Sequence, residues 1–431
     1  MPKVKRQLVL FLAVLLVLGS GAIARSQLLS QSSPVVLERV GDFCRDDPKC
    51  FNRLHPAIEP AATAEPGQQI VFGARDAFDG VLTIESTAED VAAADLSGVH
   101  PLTGPVAIAG AQRGDAIAVT IVDIEPDEYG YTAIVPGFGF LRDLFPDPYL
   151  ANWNLTPTAA TSEQIPQVTI PFAGFTGSIG VLPGEPELER FLEREAALEE
   201  VGGIVLTPLP TGALPEALCG PNGTESERCL RTVPPRENGG NMDIKQMQIG
   251  TTVILPCFVD GCGLYVGDVH FAQGDGEVSG TAIEIGANVT VTAEVRPGLG
   301  ESMTMPQFEG GDQLKAIEPD AFHATTGIPI KPAGEIPPYL TYLDSEEIAP
   351  LENLSEDLTL AARNALIEMV DYIVAEYELT REQAYVVCSV AADLRIGQLV
   401  DVPNYIVSAI LPLNIFNQTG QLETSAVVAK P

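Results

Sequence analysis

The side chains best suited to chemistry are concentrated between residues 261 and 284. Asp268 and His270 lie two positions apart in this stretch, and Asp275 and Glu277 follow them closely. One imidazole and three carboxylates brought to the same place could bind a divalent metal ion. They could equally serve as an acid–base pair that polarises a water molecule. The residue types leave both kinds of chemistry open.

The local pattern predicts a β-hairpin that would bring these groups together, with strands at residues 264–271 and 278–285. Because side chains alternate along a strand, Asp268 and His270 should point to the same face. Asp275 lies in the predicted turn, where aspartate also occurs simply for backbone geometry. The spacing predicts a site at one end of the hairpin, with a purely structural turn as the alternative.

A second candidate group occupies residues 235–243. Gly239 and Gly240 let the backbone approach another group closely or adopt a positive φ. Asn241 and Asp243, two positions apart, could face the same side if the chain is extended there. An ordinary glycine turn with side-chain-to-backbone hydrogen bonds is the alternative.

The chain has four histidines, and His270 is the one with the most potential ligand or acid–base residues near it in sequence. His100 precedes Pro101 and is a weaker candidate, while His55 and His323 lie in loop-like sequence and are predicted to be surface residues. No nucleophile elbow, zincin motif, P-loop or dinucleotide-binding glycine motif occurs in its proper structural context. The classes that depend on those motifs are therefore disfavoured.

The elements that must position these residues are mostly short strands. β-branched runs separated by turns dominate residues 69–135, 167–181 and 251–295, and residues 137–148 are loop-like. Amphipathic helices are predicted at residues 187–200 and, near the C-terminus, after Asp357 and after Thr380. Strands do not alternate with helices, which disfavours a parallel α/β sheet. The predicted fold class is mainly β, of the α+β kind, with C-terminal helices.

The surface should be strongly acidic, because 58 Asp and Glu residues outnumber 24 Lys and Arg residues and give a net charge of −34. Such a surface repels phosphate backbones, so no nucleic-acid partner is expected. A hydrophobic content of 45% is typical of a globular protein with a sizeable core.

Residues 1–24 have the pattern of a cleaved signal peptide. A basic start is followed by an apolar run at residues 8–18 and by small residues up to Ala24. The run is short for a transmembrane helix, and an uncleaved anchor is the alternative. We therefore expect a periplasmic or secreted protein with no stable membrane insertion after cleavage.

The seven cysteines fit an oxidising compartment. Six of them form close pairs that predict local disulfides, namely Cys44 with Cys50, Cys219 with Cys229, and Cys257 with Cys262. Cys388 stands alone in an apolar helical segment and is predicted to be a buried thiol rather than a nucleophile.

The two chemistry-bearing segments resemble the acetamidase/formamidase family. The more specific one is residues 267–277, which read G-D-V-H-F-A-Q-G-D-G-E, and residues 235–244 precede it in the expected order. Further matching stretches lie at residues 103–106, 110–115, 383–385 and 393–401. The resemblance predicts a catalytic domain over residues 67–415, with an N-terminal extension at 25–66 before it and a C-terminal tail at 416–431 after it.

The resemblance implies an enzyme that hydrolyses a short aliphatic amide, such as formamide or acetamide, to a carboxylate and ammonia. It also implies a β-sandwich-rich core, a homo-oligomer, and a divalent ion, zinc or calcium. The resemblance carries over Asn241, Asp243, Asp268, His270, Asp275 and Glu277 as site residues without dividing them between metal binding and proton transfer. We expect Asp243, Asp268, His270 and Asp275 to bind the metal, and Glu277, Asn241 and His270 to be catalytic.

From these residues follows a mechanistic hypothesis. Glu277 takes a proton from the attacking water and passes it to the leaving ammonia. Asn241 and the backbone N–H groups around Gly239 and Gly240 stabilise the oxyanion. Two alternatives stay open: a non-catalytic extracytoplasmic protein that binds a metal or small molecule on the same scaffold, and an amidase with a cysteine nucleophile.

Overall fold

A computed structural model describes residues 33–417 of the chain, except 201, 202, 204, 206, 207, 341–344, 400 and 401. The predicted signal peptide (1–24) and all but the first two residues of the predicted tail lie outside this part of the chain. Over the described residues, no helix combines the length and apolar character needed to cross a membrane.

Strands make up 32% of the structure and helices 22%, which confirms the mainly β, α+β prediction. The strands are β1 (Val35–Leu37), β2 (Cys50–Phe51), β3 (Arg53–Leu54), β4 (Ala62–Ala64), β5 (Gln69–Ala74), β6 (Leu102–Ile108), β7 (Ala116–Ile134), β8 (Tyr149–Leu155), β9 (Ala159–Thr161), β10 (Thr169–Pro171), β11 (Phe175–Val181), β12 (Leu230–Arg231), β13 (Gly239–Asn241), β14 (Thr252–Pro256), β15 (Leu264–His270), β16 (Glu284–Arg296), β17 (Gln307–Glu309), β18 (Phe322–Gly327), β19 (Asp393–Gln398) and β20 (Ile406–Pro412). The α-helices are α1 (Ala88–Ala93), α2 (Glu185–Glu200), α3 (Glu216–Cys219), α4 (Gln313–Ile317), α5 (Ser345–Ile348), α6 (Leu358–Tyr377) and α7 (Arg381–Ala391).

Fifteen of the strands form one branched sheet whose main path runs β10-β9-β8-β7-β16-β15-β11-β13. The long strands β7 and β16 pair antiparallel from Ala116 opposite Arg296 to Tyr131 opposite Glu284. Every residue of β11 and β15 is buried. Strands covered on both faces carry polar groups only where those groups have partners or a function. The buried Asp268 and His270 on β15 must therefore have one or the other.

Part of the predicted N-terminal extension is folded onto this sheet. Strand β1 pairs in parallel with β5, and β2 and β4 pair with β6. The Cys44–Cys50 disulfide closes a short loop in the same region. The other two predicted disulfides, Cys219–Cys229 and Cys257–Cys262, are also formed, and Cys388 is a buried free thiol.

The predicted hairpin around the chemical residues is wrong in its second strand. Strand β15 ends at His270 and β16 begins only at Glu284, so residues 271–283 form a buried loop. Helix α7 holds this loop, because the Tyr385 hydroxyl donates to the carbonyl of Val278 and the Ser389 hydroxyl donates to the carbonyl of Thr281. These tertiary contacts override the local strand propensity.

The C-terminal helices begin close to where the sequence predicts. The side chain of Asp357 accepts from the backbone N–H of Leu360 and caps α6. Thr380 and Gln383 form the predicted capping box at the start of α7. Helix α6 packs on β18 and β20, and α7 lies against α6. This arrangement fixes α7 and, through it, the loop at residues 271–283.

Candidate active site

Three strands and the loop at residues 271–283 bring four carboxylates around one imidazole. His270, at the end of β15, points its Nε2 at Asp268 Oδ2 (3.5 Å), at Glu284 Oε2 (3.3 Å) and at Glu277 Oε1 (3.8 Å). Asp243, just after β13, joins Asp268 and His270, with ligand atoms within 4.8 Å of one another. Glu284 is there because it pairs directly with His270 across the β15–β16 ladder.

The backbone is unusual at three of these carboxylates. Asp243, Asp268 and Glu277 have φ values of 51°, 49° and 42°. Non-glycine residues rarely adopt this left-handed region, and such strain concentrates at functional sites where the surrounding structure enforces it. The carboxylates are therefore placed by the fold at some cost in conformational energy.

A glycine on the neighbouring strand β11 lets the cluster close. A Cβ at Gly177 would lie 2.7 Å from Asp243 Oδ1 and 2.7 Å from His270 Cε1. No real side chain tolerates such contacts, so any larger residue here would push the two groups apart. Gly177 is the sequence feature that allows the β13 segment to approach β15.

Gln273 fixes the orientation of the imidazole. Its Nε2 donates to the backbone carbonyl of Asp243 (2.8 Å), which leaves its Oε1 to face His270 Nδ1 at 2.8 Å. Nδ1 therefore carries a proton and donates to Gln273, and Nε2 is the ring nitrogen that faces the carboxylates. An outer partner of this kind is the usual companion of a metal-binding histidine.

Several buried polar atoms at the centre of the cluster have no hydrogen-bond partner in the described structure. They are Asp243 Oδ1, His270 Nε2 and Glu284 Oε2. Most buried polar atoms in native proteins are hydrogen-bonded, and exceptions call for an explanation such as an ion. Asp243 and Glu284 each belong to a group of ligand-type atoms that includes His270, and unpartnered atoms of this kind fit a cation bound beside the imidazole.

The carboxylates destabilise one another's charged forms. Burial raises the pKa of Asp243 to about 7, and the negative charge of Asp268 adds to this. Burial also raises the pKa of Glu284 to about 7, against the opposing effect of His270. Glu277 has its pKa raised well above the ordinary value by burial and by the charge of Asp243. A positive ion in the middle would relieve this repulsion.

Asp268 and His270 behave differently because they face each other. Burial alone would raise the pKa of Asp268, but His100 and His270 lower it below its ordinary value. Burial alone would lower the pKa of His270, but Glu284 and Asp268 raise it well above its ordinary value. The neighbouring carboxylates thus favour the positively charged form of the imidazole, and that charge offsets part of their own negative charge.

Asn241 lies at the end of β13, beside the cluster. It lines the same cavity, and its Oδ1 accepts a hydrogen bond from the Ser178 hydroxyl at 2.8 Å. Its Nδ2 is then the group that can donate to a substrate. The N–H of Gly239 already donates to the carbonyl of Arg236 at 2.9 Å. Gly239 therefore cannot supply the oxyanion contact suggested by the sequence.

Asp275 lies in a different set of contacts. Its carboxylate accepts from Gln246 Nε2 at 3.0 and 3.2 Å, and its backbone N–H donates to Asp393 Oδ1 at 3.0 Å. Asp393 in turn forms a buried ion pair with Lys245. The ligand-type groups that converge around His270 do not include Asp275.

One residue of the site, Glu284, is absent from the sequence-based prediction, and His100 was only a weaker candidate. Glu284 was assigned to the interior of a strand, and its meeting with His270 depends on the long loop before it. His100 lines the cavity and is 9% exposed, with its backbone N–H bonded to Thr232 Oγ1 at 2.6 Å. The following Pro101 made it look like a loop residue. His55, predicted to be a surface residue, is buried at 3% exposure.

The cluster opens into a cavity of about 500 Å³. Asn241, Asp243, Asp268, Glu277 and Glu284 line it together with apolar side chains. A cavity of this size falls in the range of small-molecule sites. Buried acid and base groups at the inner part of a partly apolar cavity have the form of a hydrolytic active site.

Known proteins with similar sequences and structures are consistent with a hydrolytic active site. A sequence model of the acetamidase/formamidase family matches residues 39–418. An acetamidase from Mycolicibacterium smegmatis is 34% identical over 368 residues, which cover 78% of this chain and 84% of that protein. A formamidase from Methylophilus methylotrophus is 29% identical over 387 residues, covering 86% and 90%. The solved structure of a γ-lactamase from Delftia acidovorans is 30% identical, with a TM-score of 0.79, covering 89% of this chain and 94% of that one.

Fold, site and relatives together define an amidase, a hydrolase that acts on C–N bonds. The chain belongs to the acetamidase/formamidase family. The resemblance first visible in residues 235–244 and 267–277 is confirmed over most of the chain. The family match begins at residue 39, within the predicted N-terminal extension.

Proposed function

We propose that this protein hydrolyses short aliphatic primary amides, of the formamide and acetamide class, to a carboxylate and ammonia with the help of a bound divalent metal ion. Family membership supports the amide chemistry. The observation that carries the metal part is the pair of ligand-type groups that share His270, in which Asp243 Oδ1, His270 Nε2 and Glu284 Oε2 are buried and unpartnered.

Asp243, Asp268 and His270 would hold the ion, because their ligand atoms lie within 4.8 Å of one another. Three protein ligands with one position left for water or substrate are typical of catalytic zinc sites. Calcium prefers six to eight oxygen ligands, whereas an imidazole nitrogen suits zinc. Of the two ions implied by the resemblance, the donor set therefore favours zinc.

Glu277 is the group best placed to move the proton. A bound ion would lower the pKa of water and polarise the amide carbonyl. The Glu277 side chain is 18% exposed and lines the cavity, whereas the side chains of Asp268 and Glu284 are each 3% exposed. Glu277 can accept one proton from water as the C–O bond forms. It can return that proton to nitrogen as the C–N bond breaks and ammonia leaves.

Asn241 would stabilise the charge that develops on the carbonyl oxygen. Ser178 holds its Oδ1, so its Nδ2 is pre-oriented as a donor without reorganisation during the reaction. A fixed donor of this kind contributes on the order of a hundredfold or more to the rate.

Ammonia release from formamide and acetamide tests the proposal directly. The purified protein would be assayed as isolated, after chelation, and after separate addition of zinc or calcium. We expect chelation to abolish release and zinc to restore it. Full activity after complete metal removal would contradict the metal part, and no release from any amide under any condition would contradict the function itself.

Replacing Gln273 with leucine should weaken metal binding by about 10- to 100-fold, because His270 would lose the partner that holds its proton on Nδ1. Isothermal titration with zinc measures the effect. Gln246→Leu is the matched control, because Gln246 bonds to Asp275 outside the cluster. Equal zinc affinity in the two variants would rule out the orienting role of Gln273.

The two other hypotheses from the sequence have less support. A cysteine nucleophile lacks a reactive thiol, since Cys257 and Cys262 form a disulfide and Cys388 is buried with its pKa raised by burial. A non-catalytic binding protein does not need the acid–base residue Glu277 at the edge of the ligand cluster. Family membership also favours the enzyme.

We further propose an extracytoplasmic location and a homo-oligomeric state. Three disulfides in the structure support an oxidising compartment, in agreement with the predicted signal peptide. The homo-oligomer rests on the family resemblance, and the mass of the mature protein in solution by light scattering would test it.

A further inference from the structure

The active-site cavity has two chemically different parts. The inner part carries Asp243, Asp268, Glu277 and Glu284, the carboxylates that surround His270. The rest of the lining includes His100 and Arg231 but is mainly an apolar wall of Ala77, Phe78, Leu96, Val99, Val135, Phe138 and Val233. All of these except Phe138 belong to one hydrophobic cluster. The apolar wall is thus one continuous surface rather than scattered side chains.

This wall runs from the interior towards solvent. Phe78 and Val99 are 7% and 8% exposed, and Val135 is half-buried. Phe138 is 48% exposed, and its ring packs over Gly280, where a Cβ would come within 2.5 Å of it. A substrate that reaches the carboxylates therefore passes along apolar surface.

Formamide and acetamide leave most of this surface unused. At roughly 30 Å³ per water-sized group, a cavity of about 500 Å³ has room for roughly sixteen heavy atoms. Acetamide has four heavy atoms and formamide has three. Once such a molecule places its amide at the carboxylates, it has one methyl group or none to contact the wall. The wall contributes to binding only when the acyl group is longer.

We propose that the preferred substrates are primary amides whose apolar acyl group is several carbons longer than acetyl, with the cavity volume as the upper limit of its length. This inference rests on the proposed amide hydrolysis and adds to it what the acyl end recognises. The four carboxylates of the inner part disfavour an acyl chain that ends in a negative charge. Arg231 also lines the wall, and its side chain donates to the carbonyl of Leu96 at 3.3 Å.

A chain-length series measures this recognition. Initial rates of ammonia release would be compared for acetamide, butanamide, hexanamide and octanamide with the zinc-loaded protein. Burial of one methylene corresponds to about a fourfold gain, so kcat/KM should rise about fourfold per carbon from acetamide to hexanamide. The gain should stop when the chain fills the cavity, and adipic acid monoamide should be a poorer substrate than hexanamide.

A substitution that fills part of the apolar wall tests acyl recognition separately from the chemical step. Val135→Phe places a larger side chain in the half-buried part of the wall and should remove most of the advantage of hexanamide over acetamide. The readout is the ratio of kcat/KM for hexanamide to that for acetamide within the same variant, because this ratio reports acyl recognition separately from the chemical step. Val122→Phe is the matched control, because Val122 lies on the exposed side of β7, outside the cavity lining, and is 38% exposed.

The possible results lead to different conclusions. Rates that stay flat or fall from acetamide upward would overturn this inference and leave the proposed function standing. Faster hydrolysis of adipic acid monoamide than of hexanamide would also overturn it, and would assign the wall to anion recognition by Arg231. Absence of ammonia release from every amide would overturn the proposed function and, with it, this inference. A rising series in wild type alone is sufficient support if Val135→Phe does not fold.

Discussion

Replacing Glu277 with glutamine should lower kcat for amide hydrolysis by about 10²- to 10⁴-fold, the usual contribution of a general acid–base residue. Glutamine has nearly the same shape but cannot accept a proton from water or deliver one to the leaving nitrogen. Zinc binding should change little, because the three proposed ligands, Asp243, Asp268 and His270, are retained. Steady-state kinetics with acetamide, together with the zinc content per chain, measures both effects.

Glu309→Gln makes the same chemical change on the exposed strand β17 and should leave kcat at the wild-type value. If Glu277→Gln also kept wild-type kcat, another group would have to move the proton. Glu284 would then be the next candidate, because its Oε2 lies 3.3 Å from His270 Nε2. A variant that loses both zinc and activity would instead place Glu277 among the metal ligands.

Local sequence was enough to find most of the cluster. Asp268 and His270 share a strand, and Asn241 and Asp243 follow the double glycine of β13, so their residue types and spacing could be read without a structure. The helices after Asp357 and Thr380 were equally local, because caps and amphipathic periodicity are encoded within a few residues.

The contacts that complete the site depend on pairing over long distances. Glu284 meets His270 only because β16 starts after a thirteen-residue loop, residues 271–283, and no local rule sets where that loop ends. Gly177 lies on another strand and matters only because the β13 segment packs against it. Strand register and close approach are decided by tertiary packing, which short-range propensity does not contain.

Asp275 shows the opposite case, in which proximity in sequence suggests a contact that the fold does not make. It lies two residues before Glu277, yet its carboxylate accepts from Gln246 and its backbone bonds to Asp393. The buried Lys245–Asp393 pair anchors the loop at this point. Asp275 therefore helps to fix the loop that carries Glu277. Its carboxylate bonds to Gln246 and not to the imidazole of His270.

Replacing His270 with alanine should abolish specific zinc binding and, with it, hydrolysis. The imidazole belongs to both groups of converging ligand atoms, Asp243–Asp268–His270 and His270–Glu277–Glu284. We expect the loss of zinc affinity to exceed the 10- to 100-fold effect of removing Gln273, since the ligand itself is lost. Zinc titration and ammonia release from acetamide measure the two consequences.

Stability gives an independent test of the same change. Zinc at a hundred times its dissociation constant should raise the free energy of unfolding of the wild-type protein by about 2.7 kcal/mol, and it should leave His270→Ala unchanged. His323→Ala is the matched control, because His323 stacks on Tyr372 far along the chain and should respond to zinc as wild type does. Equal zinc stabilisation of His270→Ala and wild type would show that the ion binds elsewhere. The four buried carboxylates would then need another source of positive charge, and His270 itself, with its pKa raised by Glu284 and Asp268 despite burial, would be the group that supplies it.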